Sequence, residues 1–111
     1  MEFRATHRFA DISAFKVRDV ASLIRGKHVH DALRILRAIN RRASYVVDKV
    51  LRSAIANADQ SLEADMENLR VKDARVDEGP TRQKWWPRAR GRSAAIRART
   101  SHISIVLEDG R

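Results

Sequence analysis

The chain has no cysteine among its 111 residues, which excludes disulfides, thiolate nucleophiles and cysteine-based zinc sites together. That agrees with a reducing compartment. Aromatic residues are few (three Phe, two Trp and one Tyr), so any core must be built from aliphatic side chains. No window approaches the roughly 20 apolar residues of a membrane span. The first residues, MEFRATHRFADIS, are neither a signal-peptide apolar run nor an Arg/Ser-rich amphipathic presequence. The expectation is a cytoplasmic protein, or the processed form of an organellar one, with no membrane partner. Reactive constellations are missing too: there is no Gly-rich phosphate loop, no paired carboxylates in an apolar setting and no nucleophile motif. Ser101 and His102 are adjacent and so point to opposite faces of a strand, where they cannot act as nucleophile and base. His28 and His30 have no third ligand near them in sequence. Neither an enzyme nor a metal or other cofactor is expected.

Acid is absent from one stretch in particular. Gly79 to Arg99 carries Arg82, Lys84, Arg88, Arg90, Arg92, Arg97 and Arg99 and no Asp or Glu, while the other 90 residues hold 16 cations against 14 acids. This fifth of the chain therefore supplies +7 of the +9 formal charge. A cationic stretch with no acid to pair with is either solvated or meets a polyanion. Apolar alternation on both sides, Val71 to Val76 before it and Ile103, Ile105 and Leu107 after it, predicts a protruding β-hairpin over 79–99. With its midpoint near Ala89, each arm runs about ten residues, or roughly 33 Å. Arg88, Arg90 and Arg92 alternate with Ala89 and Gly91, which in an extended strand gathers three guanidinium groups on one side. Arginine binds phosphate through two donors at once and stacks on bases. Trp85 and Trp86 offer stacking surfaces among these cations. The pattern points to nucleic acid.

The rest of the chain reads as a small aliphatic body. Residues 3–9 alternate as a strand, with Phe3, Ala5, His7 and Phe9 on one side. Ser13 offers an N-cap to a helix that buries Val17, Val20, Ala21 and Ile24 and ends at Gly26. A second helix turns Val29, Leu33 and Leu36 inward and Arg34, Arg37 and Arg41 outward, with His28 at an uncertain cap. The third has the strongest periodicity, from Ala43 through Val46, Val47, Val50, Leu51, Ala54 and Ile55 to Ala58, with Asp48 and Arg52 paired on its exposed side. Residues 59–68 are acidic and predict a loop. Leu69 and Val71 are in phase, but Ala74 and Val76 are out of phase with them by one residue, which predicts a β-bulge. A final strand covers Ser101 to Leu107. The fold class is α+β: three helices packed on a small antiparallel sheet, with one long basic β-hairpin.

Six segments in order, KVR at Lys16 to Arg18, LIRGK at Leu23 to Lys27, KVLRSAIANA at Lys49 to Ala58, VDEGP at Val76 to Pro80, PRARGR at Pro87 to Arg92 and RTSHI at Arg99 to Ile103, span essentially the whole chain. Together they resemble the bacterial-type large-subunit ribosomal protein 22 family. The resemblance implies a structural protein of the large subunit that binds 23S-type ribosomal RNA, supports assembly and sits as a monomer beside neighbouring ribosomal proteins. On this basis residues 1–111 form one RNA-binding ribosomal domain. It implies RNA contacts at Lys16, Arg18, Arg25, Lys27, Arg82, Lys84, Trp85, Trp86, Arg88, Arg90, Arg92, Arg97 and Arg99. It also implies that Arg82, Gln83, Lys84, Arg88, Ala89, Arg90, Gly91 and Arg92 line the exit tunnel and face the nascent polypeptide. The chain departs from the family pattern at Ala14 and Phe15, where many members carry Pro and Arg, at Gln83, where Lys is common, and at Trp85 and Trp86, which replace an aliphatic pair.

A DNA-bending architectural protein with a basic β-arm is the alternative. Such proteins clamp duplexes as dimers and need an exposed apolar face, whereas the apolar stripes here are used within one three-helix body.

Overall fold

A computed structural model of the protein describes residues 1–87 and 93–110, and for 82–87 and 93–97 it describes the backbone alone. The body is a three-stranded antiparallel sheet in the order β1–β5–β2, with β1 at Glu2–Ala10, β2 at Arg70–Glu78 and β5 at Ser101–Glu108. Three helices, α1 (Ala14–Ile24), α2 (Val29–Ala38) and α3 (Arg42–Asp59), cover one face. Helix α3 lies over β1 and β5, and α1 lies over β2. Along the central strand Ser101, Ile103, Ile105 and Leu107 are buried, while His102, Ser104, Val106 and Glu108 are half-buried on the other face. This is the period-2 alternation of a sheet covered on one side.

Helix α3 keeps its expected stripe: Ala43, Val47, Val50, Leu51, Ala54 and Ala58 are buried, and Val46 and Ile55 pack at its margin. Arg52 Nε donates to Asp48 Oδ2 at 2.9 Å, although Asp48 is half-buried rather than exposed. The phase slip in β2 is a real bulge, since the register with β5 shifts between Val71 and Asp73. The acidic segment after α3 contains a short 3₁₀ turn at Met66–Asn68, where Asn68 Nδ2 donates to Asp65 Oδ2 at 2.6 Å.

Three local expectations need correction. In β1 a second bulge, between His7 and Ala10, inverts the alternation: Ala10 is buried and Phe9 faces out. Phe9 takes φ of +59°, a costly conformation for a bulky residue. Its N–H donates to His102 Nδ1 at 3.0 Å, and its ring stands edge-on to that imidazole. In α2 it is Ala32, with Val29 and Leu36, that reaches the core, and Leu33 is only half-buried. Arg41 lies beyond that helix, at the N-cap position of α3. Ser13 does hold the extended N-cap backbone of α1, but its hydroxyl makes no capping bond. His28 does cap α2: its Nδ1 accepts from His30 N–H at 3.2 Å, so Nε2 carries the proton donated to the Glu67 carbonyl at 2.7 Å.

The hairpin is a separate two-stranded sheet of β3 (Arg82–Pro87) and β4 (Ser93–Ala98). Arg82 faces Ala98 and Pro87 faces Ser93, so the register centres on position 90, and the described part of the ladder covers six residues on each strand. The hairpin continues β2 and β5 through a break. Glu78 pairs with Ser101 and Arg82 with Ala98, which leaves three residues on one strand against two on the other. Pro80 sits in that bulge and has no N–H to give a ladder. Gly79 N–H donates to Thr100 O at 2.9 Å and Thr100 Oγ1 donates to Pro80 O at 2.7 Å. A Cβ at Gly79 would stand 2.4 Å from that hydroxyl, so the joint requires glycine.

Across the open face Lys72 of β2 pairs with Glu2 of β1. The hydrogen bond from Lys72, and then its charge, holds the Glu2 carboxyl below its usual pKa, and the same contact raises Lys72. A lowered carboxyl pKa contributes stability above the ordinary glutamate value of about 4.3 and loses it as pH falls through the lower, folded value. Glu2→Gln is therefore expected to be slightly less stable than the parent at neutral pH, with the difference vanishing in acid. Urea denaturation at two pH values checks this.

Candidate nucleic-acid interface

Four residues expected to contact RNA, Lys16, Arg18, Arg25 and Lys27, lie on α1 or just after it, and the structure gives them two different situations. Arg18 reaches β2, where Nε and Nη2 donate to the Val76 carbonyl at 3.2 and 3.1 Å. Arg25, two turns on, donates through Nη2 to the Ala74 carbonyl at 2.6 Å and lies 3.7 Å from Asp73. These guanidinium groups fasten α1 to the bulged strand, and the donors left over are what they can offer to a ligand. Lys16 and Lys27 are exposed. The Lys27 backbone carbonyl accepts from Val71 N–H at 2.8 Å, and Gly26, with φ of +81°, returns a bond to Val71 O at 2.8 Å, so this turn extends the β2 edge.

Arg99 is exposed at the root of the hairpin. Arg88, Ala89, Arg90, Gly91 and Arg92 lie outside the described residues, as do the side chains of Arg82, Gln83, Lys84, Trp85, Trp86 and Arg97. The backbone of the latter six is in the ladder, with Trp85 opposite Ala95 and Trp86 opposite Ala94.

At the hairpin root the fold forms an open cleft of about 810 Å³. Lys16 and Arg99 line it together with Arg41 and Arg42, which the sequence reading did not assign to a site. Asp11 and Asp19 stand on its walls, and Ile12 and Phe15 supply apolar surface. Ser13 and Ala43 also line it, so the starts of α1 and α3, neither with an acid in its first turn, converge there. The positive ends of two helix dipoles thus add to the cationic side chains. The dibasic pair Arg41–Arg42 was the available sequence signal, hidden because Arg41 fits the outward stripe of α2.

Among the described residues no three His, Cys, Asp or Glu side chains gather as a metal site, and no helix is long and apolar enough to cross a membrane. The family described as "Ribosomal protein L22p/L17e" matches residues 5–108. The chain belongs to that family. It is 50% identical to the large ribosomal subunit protein uL22 of Pelotomaculum thermopropionicum over 109 residues, 98% of this chain and 96% of the relative. The protein of the same name from Thermoanaerobacter sp. strain X514 is 53% identical over 98% of both chains. The one from Carboxydothermus hydrogenoformans is 51% identical over 98% of this chain and 96% of its own. Membership therefore extends over both the body and the hairpin.

Proposed function

We propose that this chain is a structural constituent of the large ribosomal subunit, in which residues 1–111 act as one rRNA-binding domain. The observation that carries this is identity of about half, over nearly full length, to proteins named for that subunit. The role is structural rather than catalytic. In this reading the body rests on ribosomal RNA through Lys16, Lys27, Arg99 and the spare donors of Arg18 and Arg25. The hairpin, residues 79–99, threads inward, where its cations neutralise phosphates. Its outer part, Arg82 to Lys84 and Arg88 to Arg92, lines the tunnel of the nascent polypeptide, and at least one of Trp85 and Trp86 stacks on a base or ribose. The protein enters the subunit as a monomer beside other ribosomal proteins.

The physical support is the separation of tasks in the chain. Helix stripes and the sheet bury the apolar residues in one core, while the acid-free segment leaves the body on its own two-stranded ladder. A DNA-clamping dimer would need a contiguous apolar face. The exposed large apolar residues among those described, such as Phe9, Phe15, Leu23, Tyr45 and Leu62, are spread over β1, α1, α3 and the segment after α3. Ultraviolet crosslinking of the tagged protein in cells, with sequencing of bound nucleic acid and mapping of crosslinked peptides, tests the proposal. Crosslinks on several regions of large-subunit RNA, with hairpin peptides among them, are expected. Scattered chromosomal DNA, or no enrichment of ribosomal RNA, would overturn it.

A further inference from the structure

The cleft at the hairpin root holds more unspent charge than a folded surface needs. Elsewhere in the body several cations find acids: Arg25 meets Asp73, Arg34 meets Asp31, Arg52 meets Asp48, Arg75 meets Asp73 and Lys72 meets Glu2. In the cleft, Lys16, Arg41, Arg42 and Arg99 share one concavity with Asp11 and Asp19. Yet no pair among these six lies within salt-bridge distance. Four cations against two acids leave the cleft net positive by two.

Phe15 is the second observation. It projects from the first turn of α1 and is 76% exposed, the most exposed aromatic ring among the described residues. A ring with that much surface in water gives little packing to the body. It lines the large cleft and also a smaller one of about 280 Å³ toward Glu78, Thr81 and Thr100, and Arg99 lines both. The ring thus borders two hollows, with the Arg99 guanidinium common to each.

We propose that this cleft is a site for one unpaired nucleotide of single-stranded RNA, whose base stacks on Phe15 while the flanking phosphates meet Arg41, Arg42 and Arg99. An unpaired base suits the ring because stacking tolerates any base and needs an exposed aromatic face. Two flanking phosphates suit a net charge of two. Asp11 and Asp19, which would repel a phosphate, can accept hydrogen bonds from an exocyclic amine or a ribose hydroxyl. The cleft volume falls in the range of sites that enclose small ligands, about 300–1,000 Å³. The inference rests on the RNA-binding role proposed above and adds an address for one nucleotide, away from the hairpin's own ladder.

The test uses the full chain and a six-nucleotide RNA of uridines with one central 2-aminopurine, whose fluorescence falls when it stacks. Phe15→Leu keeps an apolar side chain at an exposed position, so its melting temperature should match the parent's. It is expected to lose the quenching and about tenfold in affinity, whereas Phe15→Tyr keeps both. Arg41→Gln with Arg42→Gln should weaken binding of the hexamer and reduce the magnitude of its salt slope by about 1.4. If Phe15→Leu binds and quenches like the parent, the nucleotide site is wrong. If adenosine monophosphate alone binds as tightly as the hexamer, the site serves free nucleotides and the RNA assignment falls. A parallel titration with a large-subunit RNA transcript separates the two proposals. A parent protein with no preference for that transcript would sink the ribosomal role, while the hexamer still decides the cleft.

Discussion

Exchanging the seven hairpin cations, Arg82, Lys84, Arg88, Arg90, Arg92, Arg97 and Arg99, for glutamine is expected to remove most of the salt dependence of RNA binding. If each displaces one counterion from single-stranded or irregular RNA, their joint contribution to the slope of log affinity against log salt is on the order of −5. A slope of that size makes affinity fall by about three powers of ten for a fourfold rise in salt. The substituted protein should keep its melting temperature. The hairpin is a ladder of its own, joined to the body sheet through the break at Gly79 and Pro80, and removing like charges from it relieves repulsion. Filter binding to a large-subunit RNA transcript at several salt concentrations measures the slope. An unchanged slope would mean that the phosphates are met by the body and that the hairpin serves another purpose.

The second large effect concerns the body. Ile105 lies at the middle of the central strand, fully buried, and its register partners are Ala5 on β1 and Ala74 on β2. One bulky side chain therefore fills space between two small ones, and neither alanine can move to occupy it. Ile105→Ala is expected to cost about 4 kcal/mol, near the upper part of the range for such truncations because the site cannot collapse. Against a total stability of about 5–15 kcal/mol, that brings the protein close to unfolding at growth temperature. Ile105→Val, which removes one methyl group, should cost about 1 kcal/mol. Urea denaturation of both variants checks the ratio. Similar losses for the two would show that the neighbouring strands do close over the gap.

How much of this was legible beforehand depended on whether a signal was local. The α3 stripe was, because alanine and branched residues recur at helical spacing with polar residues between them. The β2 bulge was, because a one-residue phase slip between Val71 and Ala74 leaves a mark in the pattern. The β1 bulge left none: Phe9 and Ala10 are adjacent and both apolar, so either could have been inward, and a contact with His102, 93 positions away, decided it. Leu33 and Ala32 posed the same ambiguity in α2, which packing against α1 and α3 resolved in favour of the smaller residue. The charge of the hairpin could be read directly, since it is a property of composition. The cleft could not, because Phe15, Arg42 and Arg99 come from three separate segments and meet only when the sheet and helices have assembled.

The strand order has a consequence for how the molecule comes into being. Among the described strands, β1 and β2 each pair only with β5, which follows both in the chain. A polypeptide growing from its N-terminus thus carries two strands and three helices with an empty lane between the strands until Ser101–Glu108 emerges. The basic hairpin is made before that lane is filled, so the positively charged arm exists while its anchor does not. Any RNA that engages the arm early holds a chain whose body has yet to close, and completion of the last strand is the event that turns a tethered coil into a seated domain.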